Sequence, residues 1–463
     1  MSISLPSIRA ELSPTLRIAI PVVLAELGWM AMGVVDTIMV GPLGPTAISA
    51  VGVGVAIHMG FSVFGMGVLL GLDTLVSRAF GAGDIDECHR WLFHGVALAL
   101  LMTLPILLLC GALLAAIPYL GFHPLVTPDL QAYFAALLWS TPLLLLYAAF
   151  RRYLQGMHIV TPVMVALVSS NVMNAVFNWA LIYGHLGLPA MGVVGSAWAT
   201  VISRAYMAAV LGFAIWWYDR GRGTRLLETP RAIDRARLRR LIQLGLPAAS
   251  QITAEVGVFA LATALAGTLD PISSASHQIA LNLAGVAFMI PLGISSAGAV
   301  RVGHAIGAND PERAAASGWT AIAIGIVFTA ASALLFFLVP RPLIGLFSRD
   351  AAVLDLGTSL LYIAAVFQLF DGVQGVATGT LRGLGDTRTP MVVNLWAHWL
   401  LGLPVSYSLC FVFGWGVRGL WIGLSLGLIV TGVILLRVWA VKIRHYLATA
   451  GRHAFTTPGP QAL

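Results

Sequence analysis

Apolar stretches recur along the whole chain, and each is long enough to cross the ~30 Å hydrocarbon core of a bilayer as a helix. Short polar segments separate them, and the many Gly and Pro residues inside them are tolerated in membrane helices. The pattern predicts an all-α membrane protein with twelve transmembrane helices, at residues 16–40, 46–72, 91–116, 131–152, 160–183, 191–217, 241–267, 275–298, 317–339, 357–380, 390–413 and 418–440.

The composition excludes most other classes of protein. Hydrophobic residues make up 59% of the 463 positions and charged residues only 10%, whereas soluble domains carry about a quarter charged residues. The chain has no P-loop, its paired glycines lack the third glycine of a dinucleotide-binding loop, and its histidines are scattered without metal-ligand spacing. We therefore expect no enzyme, no cofactor and no nucleic-acid partner.

The basic residues predict the orientation of the chain. With the twelve predicted spans, 22 Lys and Arg residues fall on the side of the N-terminus and 3 on the opposite side. Cytoplasmic loops carry the excess of Lys and Arg in membrane proteins. We expect a multi-pass protein of the cell inner (plasma) membrane with both termini in the cytoplasm, and the net charge of +7 reflects this topology.

The chain repeats itself at a nearly constant offset. Pro21 and Pro247 are 226 residues apart, and AFGAGD at 79–84 matches AIGAND at 305–310 at the same offset. Six spans per half place both halves the same way up, as parallel repeats related by a pseudo-two-fold axis along the membrane normal. The predicted organisation is a first lobe at 1–218 (spans 1–6), a basic cytoplasmic linker at 219–240, a second lobe at 241–441 (spans 7–12) and a cytoplasmic tail at 442–463.

Four carboxylates lie inside predicted spans, where a charge is costly and marks an ion or substrate path by default. They are Glu26, Asp36, Glu255 and Asp371. Glu26, near the cytoplasmic end of span 1, is equally compatible with a structural role. At the repeat-related positions of the opposite half the other three are replaced by apolar residues, so the shared fold does not require them. They are the predicted residues for coupling to a cation or proton.

Amide side chains occur at helical spacing in two spans. Asn174 and Asn178 in span 5 follow Asn171 at i+3 and i+7, which places all three on one face. Oxygen ligands on this face beside Asp36 would suit Na⁺, although hydrogen bonds between helices are an equal alternative for membrane asparagines. Gln278 and Asn282 form an i, i+4 pair in span 8 with the same two alternatives. The role of Arg204, inside span 6, stays open.

Several of these stretches resemble the multidrug and toxic compound extrusion (MATE) family, in particular its NorM-like branch. The matches are spread in the right order over nearly all twelve spans. They are VDTIMV at 35–40, NAVFNWALIY at 174–183, GVVGSAWAT at 192–200, HQIALN at 277–282, RVGH at 301–304 and LRG at 381–383.

The resemblance implies a V-shaped pair of six-helix lobes that exports organic cations against entry of Na⁺ or H⁺. The acidic residues of the family in spans 1, 7 and 10 fall on Asp36, Glu255 and Asp371. The asparagines of its span 5 fall on Asn174 and Asn178, so a tentative Na⁺ site comprises Asp36 and these two residues. Protons would then act at the two carboxylates of the second half.

The resemblance also implies residues of a substrate cavity. The polar pair of span 8 falls on Gln278 and Asn282, and Phe367 stands where some relatives carry Tyr. Losing that hydroxyl removes a cation ligand, while the ring face still attracts cations. The expected partners are lipophilic cationic drugs and membrane lipid, and the expected state is a monomer. A flippase of a lipid-linked precursor is the alternative function, although it would favour a basic cavity. A membrane transferase or a passive channel fits less well.

Overall fold

The computed structural model describes residues 5–224, 226–230 and 232–456, and the regular elements in this part of the chain are all helices. The α-helices are α1 (Leu5–Val40), α2 (Pro45–Val68), α3 (Gly71–Gly81), α4 (Ile85–Ala116), α5 (Thr127–Leu138), α6 (Ser140–Gly156), α7 (Thr161–Tyr183), α8 (Val193–Arg222), α9 (Arg235–Gly267), α10 (Pro271–Gly307), α11 (Pro311–Leu338), α12 (Pro340–Gly345), α13 (Ala351–Gly383), α14 (Arg388–Leu395), α15 (Leu403–Tyr407) and α16 (Gly416–Thr456). Two π-helical stretches, Trp396–Gly402 and Ser408–Val412, flank α15.

The predicted twelve membrane spans are confirmed within the described residues. Eleven helical segments are long and apolar enough to cross a membrane, with α2 and α3 counted as one segment and α14 to Val412 as another. The twelfth span is the pair α5 and α6, which bends by 44° at Trp139. Several helices extend beyond the apolar stretch that predicted them; α9, for example, begins at Arg235.

The repeat is visible in local structure as well as in sequence. Asp84 and Asp310, 226 residues apart, cap the N-termini of α4 and α11, and each side chain accepts a hydrogen bond at 2.9 Å from the backbone N–H three residues later. An acidic side chain at this position satisfies a free amide and favours the positive end of the helix dipole. The third span of each half therefore begins with the same aspartate N-cap.

The described residues divide into two compact units. One comprises residues within Met1–Ile20, Ser77–Gly83 and Ala254–Leu463, and the other Pro21–Val76 and Asp84–Thr253. Each unit thus includes the beginning of a helix, α1 or α9, whose remainder belongs to the other unit. The predicted lobe limits at residues 218 and 241 follow the sequence repeat, and they stay a prediction.

Ion pairs fix the beginnings of both of these helices. In the first unit, Arg301 donates through both Nε and Nη2 to Oε2 of Glu11 in α1. Nε of Arg313 lies 3.3 Å from the other oxygen of Glu11, Oε1. In the second unit, Arg237 of α9 binds Glu87 in bidentate fashion, at 3.2 and 2.9 Å. Bidentate arginine–carboxylate contacts hold both partners in one geometry. They attach the start of each helix to residues of the opposite sequence half.

Candidate functional site

The buried acids of the chain, together with the half-buried Glu255, fall into two groups. Glu11 binds arginines as described above, and Glu26 forms a buried ion pair with Arg151. Asp73 lies 3.5 Å from Arg152. Each of these acids has a cationic partner that compensates its burial. The sequence left the role of Glu26 open, and its partner explains the charge without a transport role.

The second group consists of the three acids that the sequence predicted for coupling. Among the residues whose side chains the structure describes, Asp36, Glu255 and Asp371 form no ion pair with Lys, Arg or His. Amides and a hydroxyl donate to Asp36 and Glu255, and Arg204 interacts electrostatically with Asp36 without forming an ion pair. An ionised carboxylate in a low-dielectric environment costs several kcal/mol unless a cation or a proton compensates it. Each of these three carboxylates is therefore suited to bind a cation or a proton that can be exchanged.

Asp36 is the centre of the site in the first half. Its side chain is only 5% exposed. One oxygen, Oδ1, accepts a hydrogen bond from Asn178 Nδ2 at 2.8 Å, and Asn178 also donates to Asn174 Oδ1 at 3.1 Å. The other oxygen, Oδ2, accepts from the Thr200 hydroxyl at 3.2 Å. The structure thus brings together the three residues predicted to form a Na⁺ site and adds Thr200 to them.

Contacts between α1 and α7 at three levels explain why these side chains meet. Nδ2 of Asn171 donates to the Gly28 carbonyl at 2.9 Å, and the Tyr183 hydroxyl donates to the Met39 carbonyl at 2.6 Å. The contact of Asn178 with Asp36 lies between these two. Because residue numbers increase together along both helices, the two helices run parallel and in register. Asn171 therefore joins helices and does not contact Asp36 directly.

Sequence reasoning missed Thr200, although a weak signal was present. Ser196, Thr200 and Arg204 follow one another at intervals of four on α8, so they share a helical face. A threonine in a membrane helix commonly donates to its own backbone, and Thr200 also lies 3.1 Å from the Ser196 carbonyl. Arg204, which the sequence left unassigned, is buried and donates to the Ser140 hydroxyl at 2.5 Å.

Glu255 is the centre of the site in the second half. Gln374 of α13 donates through Nε2 to Glu255 Oε1 at 2.9 Å. Asn394 of α14 donates through Nδ2 to Glu255 Oε2 at 3.2 Å. Both amides are buried, so each carboxylate oxygen of Glu255 has one N–H donor from a different helix. Neither amide was singled out from the sequence, because no spacing connects residues 255, 374 and 394.

Asp371 and Phe367 lie on the same helix as one of these amides. Asp371 is 8% exposed and stands three residues before Gln374, so both side chains occupy one face of α13. Asp371 therefore lies in the region of Glu255 and interacts with it electrostatically. Phe367 is 3% exposed and packs in the hydrophobic core, with its ring centroid 5.7 Å from that of Trp421. Its place in a substrate cavity stays a prediction.

The predicted polar pair of α10 remains accessible. Gln278 and Asn282 are both exposed, whereas the neighbouring residue His277 is buried. Both ring nitrogens of His277 have hydrogen-bond partners. Trp421 Nε1 donates to Nδ1 at 3.0 Å, and Nε2 lies 3.0 Å from the Thr263 hydroxyl. The side chains of Gln278 and Asn282 are therefore not used in packing, whereas His277 is.

Comparison with protein families places both halves of the chain in one family model. The model described as MatE matches residues 21–180 and 247–408, one segment in each half. Two relatives match nearly end to end. The "Probable multidrug resistance protein NorM" of Mesorhizobium japonicum is 35% identical over 94% of this chain and 95% of its own length. The "Multidrug resistance protein NorM" of Burkholderia vietnamiensis is 36% identical over 95% of both chains.

Solved structures agree with this comparison. The crystal structure of the eukaryotic MATE transporter AtDTX14 has a TM-score of 0.83 at 25% identity, covering 96% of this chain and 100% of that one. The crystal structure described as MATE in the bent conformation has a TM-score of 0.86 at 19% identity, covering 96% and 98%. At that identity the second likeness concerns the fold alone.

Proposed function

This chain belongs to the MatE family, and on that premise we propose that it is a cation-coupled exporter of lipophilic organic cations, including drugs. The names of its NorM relatives support the multidrug substrate class. The distribution of basic residues supports an inner-membrane location with both termini in the cytoplasm.

The observation that carries the proposal is that Asp36, Glu255 and Asp371 form no ion pair among the described side chains. Glu11 and Glu26, by contrast, are paired with arginines. A carboxylate that is not held in an ion pair can bind an organic cation in one state and a coupling ion in another. Exchange requires only that these ligands bind the two conformations of the transporter with different affinities.

The mechanism is antiport by alternating access. A cation or proton that enters from outside takes the carboxylates, and the organic cation then loses its electrostatic partner and leaves outward. Gln278 and Asn282, exposed on α10, are proposed as contacts of the substrate. A bound drug would therefore be held by apolar surface and a few polar groups, as is usual for small-molecule sites.

The two coupling ions are proposed to act in different halves. Around Asp36 five oxygens are available: two of its own, one each from Asn174 and Asn178, and the Thr200 hydroxyl. This number suits a hard cation such as Na⁺, by analogy with the oxygen ligands of Ca²⁺. In the second half Glu255 and Asp371 lie in one region, where two negative charges would repel each other. Protonation removes that repulsion, so protons are proposed to act there.

Transport in inside-out vesicles tests the proposal. Accumulation of ethidium against its own gradient would be measured with Na⁺ or H⁺ concentrated inside the vesicles, one at a time. Asp36→Asn, Glu255→Gln and Asp371→Asn should each reduce accumulation to the background of empty vesicles. Asp355→Asn is the matched control, since this carboxylate is 66% exposed and lies outside both sites.

Three outcomes would contradict parts of the proposal. Wild-type accumulation in all three variants would remove the carboxylates from the mechanism. Cation-independent movement of a lipid analogue, without ethidium accumulation, would favour the flippase. If Asp36→Asn keeps the response to Na⁺ while Asp371→Asn loses it, the two halves are assigned the wrong way round.

A further inference from the structure

The eleventh span departs from α-helical geometry beside Glu255. Trp396–Gly402 is π-helical, directly after the α-helix that carries Asn394, and a second π-helical stretch follows at Ser408–Val412. π-helical turns are rare and occur frequently at functional sites, because the wider turn costs stability. This one therefore requires an explanation.

The π-helical turn changes which residues share a face. Residues five apart lie about 140° apart around an α-helix, and the wider turn of a helix with i→i+5 hydrogen bonds brings them nearer to one face. Asn394 and Trp399 are five apart, and both contact α9 at adjacent residues. Asn394 donates to the Glu255 carboxylate at 3.2 Å, and Trp399 Nε1 donates to the Ala254 carbonyl at 3.1 Å. Span 11 thus contacts α9 at two adjacent residues, one contact from the π-helical stretch and one from the α-helix before it.

Each amide that donates to Glu255 also carries a carbonyl oxygen that accepts no hydrogen bond from the described residues. Oδ1 of Asn394 and Oε1 of Gln374 are buried and have no hydrogen-bond partner among the described residues. Leaving a buried acceptor unpaired is unfavourable and calls for a reason. A primary amide carries both donors and an acceptor, which exchange places when its terminal torsion turns by half a rotation. Both residues therefore offer Glu255 an N–H now and could offer it an oxygen instead.

We propose that Gln374 and Asn394 are positioning residues that serve both charge states of Glu255, with Trp399 holding Asn394 within reach. The proposal rests on the proposed function. In the structure each oxygen of Glu255 accepts one N–H, an arrangement that suits the ionised form. When a proton from the external solution forms the O–H bond of neutral Glu255, one amide turns and accepts that O–H through its free oxygen. Glu255 can then change charge without moving its helix.

Few other ionisable groups face this site. Asp371 of α13 lies in the same region and is part of the proposed proton path. His398 of span 11 donates through Nδ1 to the Asn394 carbonyl at 3.1 Å, and its buried Nε2 has no partner among the described residues. On α10, His277 is held by Trp421 and Thr263. The variants below leave these groups unchanged.

The pH dependence of proton-driven ethidium accumulation tests the proposal. Gln374→Met and Asn394→Leu keep approximate side-chain volume and remove the donor and the acceptor. A hydrogen bond to the ionised carboxylate is stronger than one to the neutral acid, so losing an amide destabilises ionised Glu255 more than neutral Glu255. The midpoint of the profile should therefore move to higher pH by about one unit, a tenfold change in proton affinity. Trp399→Phe removes only the indole N–H and should produce a smaller shift in the same direction. Trp396→Phe, in the same π-helical stretch but 49% exposed, is the matched control and should leave the midpoint unchanged.

An infrared titration of purified protein keeps the test independent of transport. The carboxyl C=O band assigned by its loss in Glu255→Gln should titrate at higher pH in Gln374→Met and in Asn394→Leu. Unchanged midpoints in both variants would overturn the proposal while leaving the proposed function intact. A wild-type protein without proton-driven accumulation would instead refute proton coupling, and the infrared titration would still decide whether the amides respond to Glu255.

Discussion

Replacing Glu11 by Gln should destabilise the protein more than replacing Arg313, the exposed partner of the same carboxylate. The Arg301 side chain is 4% exposed and its guanidinium binds Glu11 through two nitrogens. Without the carboxylate, a buried positive charge has no compensating partner. Removing one member of a buried pair costs about 3–5 kcal/mol. Arg313, whose side chain is 44% exposed, is screened by solvent and adds about 0–1 kcal/mol.

Burial therefore predicts an order of stabilities that thermal unfolding in detergent can measure by tryptophan fluorescence. Glu11→Gln should have the lowest midpoint, and Arg313→Gln should stay close to wild type. The double variant Glu11→Leu/Arg301→Met should recover part of the loss, because no charge remains buried. The reasoning fails if Arg313→Gln unfolds as early as Glu11→Gln, or if the double variant unfolds earlier than the single one.

Two further predictions concern single side chains. Thr200→Val removes the hydroxyl that donates to Asp36 at 3.2 Å, so half-maximal ethidium accumulation should require about tenfold more Na⁺. Thr200→Ser, which keeps the hydroxyl, is the control. An unchanged Na⁺ requirement in Thr200→Val would exclude Thr200 from the site. Gly379→Ala would place a Cβ 2.2 Å from the Ser295 carbonyl oxygen, so it should abolish the monodisperse peak in size-exclusion chromatography. Gly285→Ala, which meets open space, should keep that peak, and equal behaviour of the two variants would contradict the packing argument.

The sequence predicted the membrane helices and the first-half site because each signal is local. Hydrophobic length identifies a span wherever it occurs. Asp36 stood out as a charge inside a span, and Asn174 and Asn178 share a face by spacing alone. That those asparagines face Asp36 was an inference from the family resemblance, and the structure confirms the contact through Asn178 at 2.8 Å.

The remaining features depend on which helices become neighbours, and one sequence without an alignment does not encode this locally. Glu255 receives donors from residues 119 and 139 positions away. The π-helical turn before Trp399 has no compositional signature in an apolar stretch. The arginine partner of Glu26 lies 125 residues away, so burial alone could not separate this paired acid from Asp36.

The ion pairs at the starts of α1 and α9 also constrain how such a repeat could have arisen. Glu11 and Arg237 occupy equivalent positions, 226 residues apart, and so do Glu87 and Arg313. In the contact between Glu11 and Arg313 the acid lies on α1 and the base on α11. In the contact between Arg237 and Glu87 the base lies on α9, the repeat of α1, and the acid on α4, the repeat of α11. Two copies of the first half would set Glu11 against Glu87, and two copies of the second would set Arg237 against Arg313. Like charges would repel in either homodimer, so in this lineage each half has become a partner only for the other.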